Sequence, residues 1–242
     1  MFYGWLNSYE NKKCYMWVYC TGSDGLNSRL AGTQNIVLYD YKNSRGGACA
    51  AEFLGGFSNY LQSDGYKGYN AVEEVTHVGC FAHARRKFMD AKKIQPKGTL
   101  GLSDEALSHI QGLYEIERVI KNKPADVKFD IRQRDSKPLL ERIQQWLTEK
   151  RPMVIASSVL GKAIQYSLNQ WDKLVSYIDD GHLSIDNNRA ERAVKPFVVG
   201  RKNWLFSNSA SGAEGSAMFY SIIETAKANG LNCYDYLKSC LQ

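Results

Sequence analysis

The first ninety residues are patterned as short strands and helices. Aromatic and β-branched side chains crowd the runs KCYMWVYC at 13–20 and NIVLYDY at 35–41, and three glycines lie between the two runs. This arrangement predicts a β-hairpin whose connection contains Gly22, Gly25 and Gly32. Small and apolar residues at helical spacing then predict a helix over 47–57.

Two further short runs follow the hairpin. We expect strands at 59–63 and 74–80, a short helix between them, and a helix from 82 to 93. The first of these strands stops at Asp64-Gly65, a dipeptide typical of turns. The order of strand, strand, helix, strand, short helix and strand indicates an α/β fold.

From Ser103 onward the pattern becomes helical. Ser103 followed by Asp104 and Glu105 predicts a helix N-cap with an acidic first turn. Apolar stripes continue at helical spacing to residue 178, and Gly181 follows the last turn. The polar stretch 121–137 interrupts the stripes, and we interpret it as a loop or a fraying helix end.

The last sixty residues combine both patterns. Asp186 suits the N-cap of a helix over 187–195, and Pro196 comes where that helix should end. A β-like run at 197–206 follows. Helical spacing then predicts helices over 212–229 and 234–241.

Composition restricts the class of protein. Of the 242 residues, 44% are hydrophobic and 23% are charged, so the chain can fill a sizeable core. No stretch approaches the ~20 apolar residues of a membrane span. The start, MFYGWLNSYENKK, lacks the basic head and apolar stretch of a signal peptide. We therefore expect a cytoplasmic protein without a membrane partner.

The positive charge is modest and concentrated. Lys and Arg number 31 against 25 Asp and Glu, a net charge of +6, which does not by itself establish nucleic-acid binding. The charge gathers in HARRKFMDAKK at 83–93 and DNNRAERAVKPFVVGRK at 186–202. On charge alone, solvated helix faces are the favoured interpretation, and phosphate-contacting patches are the alternative.

The six cysteines lack the paired spacing of a zinc site. Most occur in apolar runs, which is typical of reduced core residues. Cys80 and His83 have the spacing of half a site, but no second pair follows and four ligands are needed. No zinc is expected in this chain.

Two carboxylates occupy positions that suit a magnesium site. Asp64 follows a predicted strand and Glu191 lies on a later predicted helix, and Mg²⁺ takes hard oxygen ligands of this kind. The spacing alone is a weak signal, because Asp-Gly is usually a plain turn and Glu191 beside Arg192 is usually a surface ion pair.

Four motifs resemble one family of proteins. LQSDGYKGYN, VGCFAHARRKF, LSIDNNRAERAVKPFVVGRKNWLFSNSASGA and YSIIETAKANGLNCYDYL are similar, in order and spacing, to the insertion-sequence-66 family of bacterial transposases. The resemblance implies a ribonuclease-H-like mixed sheet of the DDE type, here with its first strand missing or incomplete. It also implies a mostly helical insertion and C-terminal helices, with boundaries at 1–99, 100–181 and 182–242.

The resemblance also implies chemistry and partners. Family members cut and join DNA with Mg²⁺, for which Mn²⁺ can substitute, so transposon ends and target DNA are the expected partners, and a homo-oligomer is the expected active form. Asp64 matches the second acid of the family and Glu191 the third. The first acid, in an Asp-Glu-Thr motif before the KCYMWVYC strand, has no counterpart between Met1 and Lys13. Asp40, Glu10 and Asp186 are weak replacements, and a vacancy is preferred.

A set of basic, histidine and aromatic side chains flanks these acids in sequence. Because Arg85, Arg86 and Lys87 are consecutive, they fan around a helix and at most two can face a DNA backbone. The expected DNA-binding residues are His83, Arg85, Arg86, Lys87, Arg192, Lys195, Arg201, Lys202 and Trp204. A capping or packed role for His83 and a core role for Trp204 stay open.

Three functions remain at this point. The first is Mg²⁺-dependent strand cleavage and strand transfer. The second is a catalytically inactive chain that binds DNA or assembles with intact transposase, because the first acid has no counterpart. The third and weakest is hydrolysis of small phosphate esters, which would need a closed pocket.

Overall fold

A computed structural model of the chain describes residues 2–6, 13–22, 35–96, 98–204 and 209–242, with the backbone alone described for 2–6, Arg201 and Trp204. The described strands are β1 Phe2–Leu6, β2 Lys13–Cys20, β3 Val37–Lys42, β4 Tyr60–Gln62 and β5 Thr76–Val78. The described helices are α1 Gly47–Phe53, α2 Phe81–Lys93, α3 Leu102–Ile120, α4 Ala125–Ile131, α5 Lys137–Lys150, α6 Val159–Asn169, α7 Trp171–Val175, α8 Asn188–Trp204, α9 Ala210–Ala228 and α10 Cys233–Cys240.

The described residues form two compact units of an α/β chain that is mostly helical. The first unit contains residues 1–57, 67–73 and 188–242, and the second contains 58–66 and 74–187. The boundaries predicted from the sequence at 1–99, 100–181 and 182–242 stay a prediction.

The first unit is built on an antiparallel sheet with the order β1-β2-β3. The predicted strands at 13–20 and 35–41 are confirmed as β2 and β3, while the residues between 22 and 35 lie outside the described part of the chain. Tyr3 pairs with Met16 and Phe2 with Trp17, so β1 lies beside β2 in the position where a first core strand was expected to be missing or incomplete. That expectation is wrong to this extent, although the β1 sequence FYGWL carries no acid.

Strand β2 is covered on both faces, which explains its unbroken apolar run. On one face Met16 and Val18 pack with Val194 and Phe197 of α8. On the other face the Trp17 ring meets the Tyr69 ring edge-on at 5.6 Å. Because side chains alternate along a strand, the even-numbered residues of β2 pack on one face of the sheet and the odd-numbered residues pack on the other.

The edge of β3 that does not pair with β2 is covered by two polar side chains of α9 and by Asn229, the residue that follows the helix. Ser221 Oγ accepts the Tyr39 N–H at 2.8 Å, and Thr225 Oγ1 accepts the Val37 N–H and donates to the Val37 carbonyl, both at 3.0 Å. Asn229 continues the series one turn later, where its Oδ1 accepts the Asn35 N–H. The three polar residues are four positions apart and therefore lie on one side of the helix. Their backbone partners are two positions apart, as are residues that face the same side of a strand edge.

Helix α8 corrects one expectation. The sequence predicted a helix end at Pro196 and a strand from 197 to 206, but α8 continues through Pro196 to Trp204. Val194, Phe197 and Val198 pack against β2 and β3 from one helix face. This burial outweighs the hydrogen bond that the proline removes. Residues 205–208 lie outside the described part.

The second unit places a parallel pair of strands among helices. Strand β4 pairs with β5, and the predicted strands at 59–63 and 74–80 are thereby confirmed. A short 3₁₀ helix at Lys67–Ala71, which belongs to the first unit, lies between them in the chain. The buried core of the second unit draws on strand β5 and helices α2, α3, α5, α6 and α7, with Val78, Phe81, Phe88, Leu113, Ile164 and Leu174 among its members.

A buried arginine corrects a second expectation. The stretch 121–137 was predicted to be a loop or a fraying helix end, but it forms α4 and a π-helical turn at Arg132–Ser136. The Arg132 guanidinium is 1% exposed and binds the Glu117 carboxylate through two nitrogens at 2.7 and 2.8 Å. One polar residue of this stretch, Arg132, is therefore buried in an ion pair. The predicted N-cap is also displaced: Gly101 is the N-cap of α3, and Ser103 is buried within the first turn.

Candidate functional site

Asp64 lies in a tight turn directly after β4. Its Oδ1 accepts the backbone N–H of Tyr66 at 3.0 Å, and the Ser63 hydroxyl accepts the N–H of Gly65 at 3.4 Å. Gly65 has a φ of +82°, a left-handed conformation that other residues adopt at a cost. The SDGY sequence therefore forms an Asx-type turn that displays the half-buried aspartate at the end of a strand.

Helix α6 packs on this turn. The Tyr166 hydroxyl donates to the Asp64 carbonyl at 3.3 Å, and the Lys87 ammonium of α2 lies 4.5 Å from the centre of the Tyr166 ring. Burial is the main cause that raises the pKa of Tyr166 to about 12, so its hydroxyl stays protonated at neutral pH. Lys87, a predicted DNA contact, thus has an aromatic partner within its own unit.

Glu191 lies in the first turn of α8, in the first unit. It is half-buried and sits three residues before the buried Val194. Arg192, Lys195 and Lys202 are exposed and recur at helical spacing, so their side chains share one stripe of the helix next to Glu191. The side chains of Arg201 and Trp204, both predicted DNA contacts, lie outside the described part.

The basic residues at the two ends of α2 differ in their surroundings. Arg85, Arg86 and Lys87 are exposed and His83 is half-buried. Farther along the helix the charge is balanced locally, because Lys92 binds Asp104 at 2.7 Å and Lys93 binds Asp90 at 2.6 Å. The predicted DNA contacts of α2 therefore lie in its first part, before these two ion pairs.

Asp40 belongs to the sheet face opposite to α8. It pairs with Trp17 across β2 and β3, and Lys42 lies 3.8 Å from its carboxylate. The α8 side chains pack on the other face of these strands, beside Met16. Burial raises the pKa of Asp40, while Lys42 lowers it in part. Asp40 is therefore poorly placed to replace the first acid beside Glu191.

The described residues contain no group of three or more His, Cys, Asp or Glu side chains that could hold a metal ion. Asp64 and Glu191 belong to different units, so each is described in its own surroundings. The donor chemistry of each fits Mg²⁺, which is bound in proteins through one or two carboxylates together with substrate phosphates. Asp64 also keeps an oxygen, Oδ2, beyond the one that accepts the Tyr66 N–H.

Sequence reasoning missed the contacts that the helical region makes at these sites. Tyr166 lies off the apolar stripe of α6, and no spacing signal connects it with Asp64, about a hundred residues earlier. Tyr114 of α3 likewise donates to Asp186 at 3.0 Å. Such long-range polar contacts leave no periodic trace in a single sequence.

The chain is similar to known proteins over most of its length. The family model described as Transposase IS66 family matches residues 6–215, most of the chain. The chain belongs to the IS66 family of transposases. The resemblance inferred from the four motifs is thereby confirmed, while the roles of individual residues stay predictions.

The IS66 chain has relatives in Sinorhizobium fredii (strain NBRC 101917 / NGR234). It is 32% identical to "Uncharacterized protein y4hP" over 221 residues, which cover 85% of the chain and 40% of the relative. It is 33% identical to "Uncharacterized protein y4jD" over 219 residues, which cover 85% and 42%. The chain thus spans about two fifths of the length of these relatives.

No solved structure matches this IS66 transposase chain. Among the described residues, none of the helices combines the length and the apolar character that a bilayer crossing requires.

Proposed function

We propose that this IS66 transposase chain is the catalytic region of a DDE enzyme that cleaves and transfers DNA strands with Mg²⁺. Family membership supports the reaction class, and the order of the elements supports the fold. Asp64 follows the fourth strand along the chain, and Glu191 begins a helix that packs on the sheet of the first unit. Both placements agree with a ribonuclease-H-like core.

The exposed stripe of α8 is the observation that carries the proposal. Arg192, Lys195 and Lys202 line one helix face immediately beside Glu191. A DNA backbone along this stripe would bring phosphates next to the carboxylate, since lysine and arginine neutralise phosphate charge. His83, Arg85 and Arg86 of α2 would add backbone contacts. Transposon ends and target DNA, held in a homo-oligomer in the cytoplasm, are the proposed partners.

Asp64 and Glu191 are the proposed metal ligands. When bound, Mg²⁺ or Mn²⁺ would activate the attacking oxygen and stabilise the leaving oxygen of a phosphodiester. The carboxylates would hold the metal, and the turn hydrogen bond from the Tyr66 N–H would orient Asp64. Arg192 and Lys195 would bind the phosphates on either side of the scissile bond.

Salt dependence of DNA binding tests the stripe. Lys195→Gln should weaken binding to a fluorescent 30-base-pair duplex and reduce the slope of log affinity against log salt by ~0.9 for the lost phosphate contact. Lys123→Gln, another exposed lysine, is the matched control and should leave the slope unchanged. Equal salt slopes for wild type and Lys195→Gln would show that the α8 stripe does not contact DNA.

A second function is favoured by one specific observation. Strand β1 carries no carboxylate, and Asp40 lies on the sheet face opposite to α8. We propose as the second function that the chain acts without catalysis, as a DNA-binding partner of an intact transposase.

A strand-transfer assay separates the two functions. The substrate is DNA carrying the ends of the insertion sequence that encodes this chain, with Mg²⁺ present. Transfer that is abolished in Asp64→Asn would establish the catalytic function. DNA binding without any transfer, unchanged by Asp64→Asn, would establish the inactive one.

A further inference from the structure

The turn that carries Asp64 is fixed internally by two local hydrogen bonds. The Gly65 N–H donates to the Ser63 hydroxyl at 3.4 Å, and the Tyr66 N–H donates to Asp64 Oδ1 at 3.0 Å, which orients the carboxylate relative to its own backbone. Neither of these two bonds reaches a residue outside the turn. A ligand that must meet a metal ion within a few tenths of an ångström also needs an external support.

Helix α6 provides such a support. The Tyr166 hydroxyl donates to the carbonyl of Asp64 itself at 3.3 Å. The contact is close: a β-carbon added at Gly65 would lie 2.8 Å from the Tyr166 hydroxyl and 3.5 Å from Gln170 Oε1, one helical turn later. Tyr166 and Gln170 therefore pack closely against Gly65, where a larger residue would not fit without a shift.

A second helix fixes the orientation of the tyrosine. The Lys87 ammonium of α2 lies 4.5 Å from the Tyr166 ring centre, within the range of a cation–π contact. The ring is therefore held by a residue that does not belong to the turn. Lys87 and Tyr166 together connect α2, α6 and the Asp64 turn within one unit.

From these contacts we infer that Tyr166 is a positioning residue for Asp64, so that the helical region predicted as an insertion sets the geometry of the acidic site. The inference rests on the proposed function in so far as Asp64 is a metal ligand. It assigns to α6 a role distinct from DNA binding. Lys87 then acts chiefly by supporting the Tyr166 ring.

Amide exchange measures the positioning without any metal. Tyr166→Phe keeps the ring for Lys87 but removes the hydroxyl, so the exchange protection of the Tyr66 amide, measured by NMR on the full chain, should fall about fivefold, as expected for one hydrogen bond. Tyr114→Phe is the matched control, because it removes a similar hydroxyl bond from Asp186 in the same unit. Unchanged protection at Tyr66 in Tyr166→Phe would overturn the inference.

Metal titration tests the link to function. Mn²⁺ binding followed by electron paramagnetic resonance should weaken in Asp64→Asn, and Tyr166→Phe should weaken it about tenfold, as a support of a metal ligand does. In the Asp64→Asn background Tyr166→Phe should add no further loss. An equal loss in both backgrounds would show that Tyr166 acts elsewhere and would overturn the inference. Unchanged binding in Asp64→Asn would instead contradict the proposed function.

Discussion

Arg132 offers the sharpest stability test in the second unit. Its guanidinium donates to the Glu117 carboxylate through two nitrogens and to the carbonyls of Tyr177, Asp180 and Leu183 at 3.0, 2.9 and 2.8 Å. The five bonds use all five N–H donors of an arginine side chain. The three carbonyls belong to the segment that leads from α7 toward Asp186, so the arginine ties that segment to α3.

The cost of removing this arginine follows from its burial. Arg132→Met would leave the Glu117 carboxylate, itself 15% exposed, without its buried partner, and breaking such a pair costs ~3–5 kcal/mol. The three carbonyls would lose their donor, at ~1 kcal/mol or more each where water cannot replace it. We therefore expect a loss of at least ~4 kcal/mol, a large share of the ~5–15 kcal/mol that stabilises a typical domain.

Urea unfolding followed by tryptophan fluorescence measures this loss. Arg134→Met is the matched control, because Arg134 lies in the same π-helical turn but is 72% exposed and pairs with Asp135 at the surface, where such pairs contribute ~0–1 kcal/mol. The double variant Arg132→Met/Glu117→Leu should recover ~2 kcal/mol of the loss, since no buried charge is left alone. A loss in Arg132→Met no larger than that in Arg134→Met would refute the reasoning.

Three further perturbations test other parts of the fold. Thr225→Val leaves the Val37 N–H and carbonyl at the edge of β3 without their partner, so it should lower the free energy of unfolding in urea by ~2 kcal/mol. Thr148→Val, at an exposed position, should lower it by under ~0.5 kcal/mol. Equal losses in the two variants would contradict the edge contact. Gly56→Ala and Gly65→Ala both place a β-carbon on a residue with φ near +80°, which should lower the free energy of unfolding by ~1–2 kcal/mol. Only the β-carbon at Gly65 meets a side chain, that of Tyr166, so Gly65→Ala should destabilise the chain more. A smaller loss in Gly65→Ala than in Gly56→Ala would contradict the close approach. The hydrogen bond from Lys92 is the main cause that lowers the pKa of Asp104 to about 2. The contribution of Asp104 to the free energy of unfolding is therefore full above pH ~4 and is lost as the pH falls toward 2. A stability difference between Asp104→Asn and wild type that persists at pH 2 would contradict this.

Strands and apolar helix faces were accessible from the sequence. The runs at β2 and β3 predicted a pair of strands because both are rich in aromatic and β-branched residues, and the structure confirms the pair. The turn at Asp64-Gly65 was predicted from its dipeptide, and the left-handed φ of Gly65 agrees with it. The family was predicted from four motifs, and the family match confirms it.

The errors have a common physical origin in tertiary contacts. Pro196 ends an isolated helix, but burial of Val194 and Phe197 holds α8 together beyond it. The polar stretch after residue 121 is helical, and its buried Arg132 bonds to Glu117, 15 residues earlier, and to backbone carbonyls 45 to 51 residues later. Local propensity carries no information on such partners, which also explains why the Tyr166 contact to Asp64 went unpredicted.

The most direct test of the account asks whether Asp64 and Glu191 serve one metal site. Fe²⁺ can replace Mg²⁺ at oxygen ligands and, with ascorbate and peroxide, cleaves the polypeptide next to the bound ion. The account predicts cuts near both residue 64 and residue 191 of the DNA-bound chain, with both cuts lost in Asp64→Asn and suppressed by excess Mg²⁺. Cuts near one residue alone, or cuts that persist in Asp64→Asn, would contradict it.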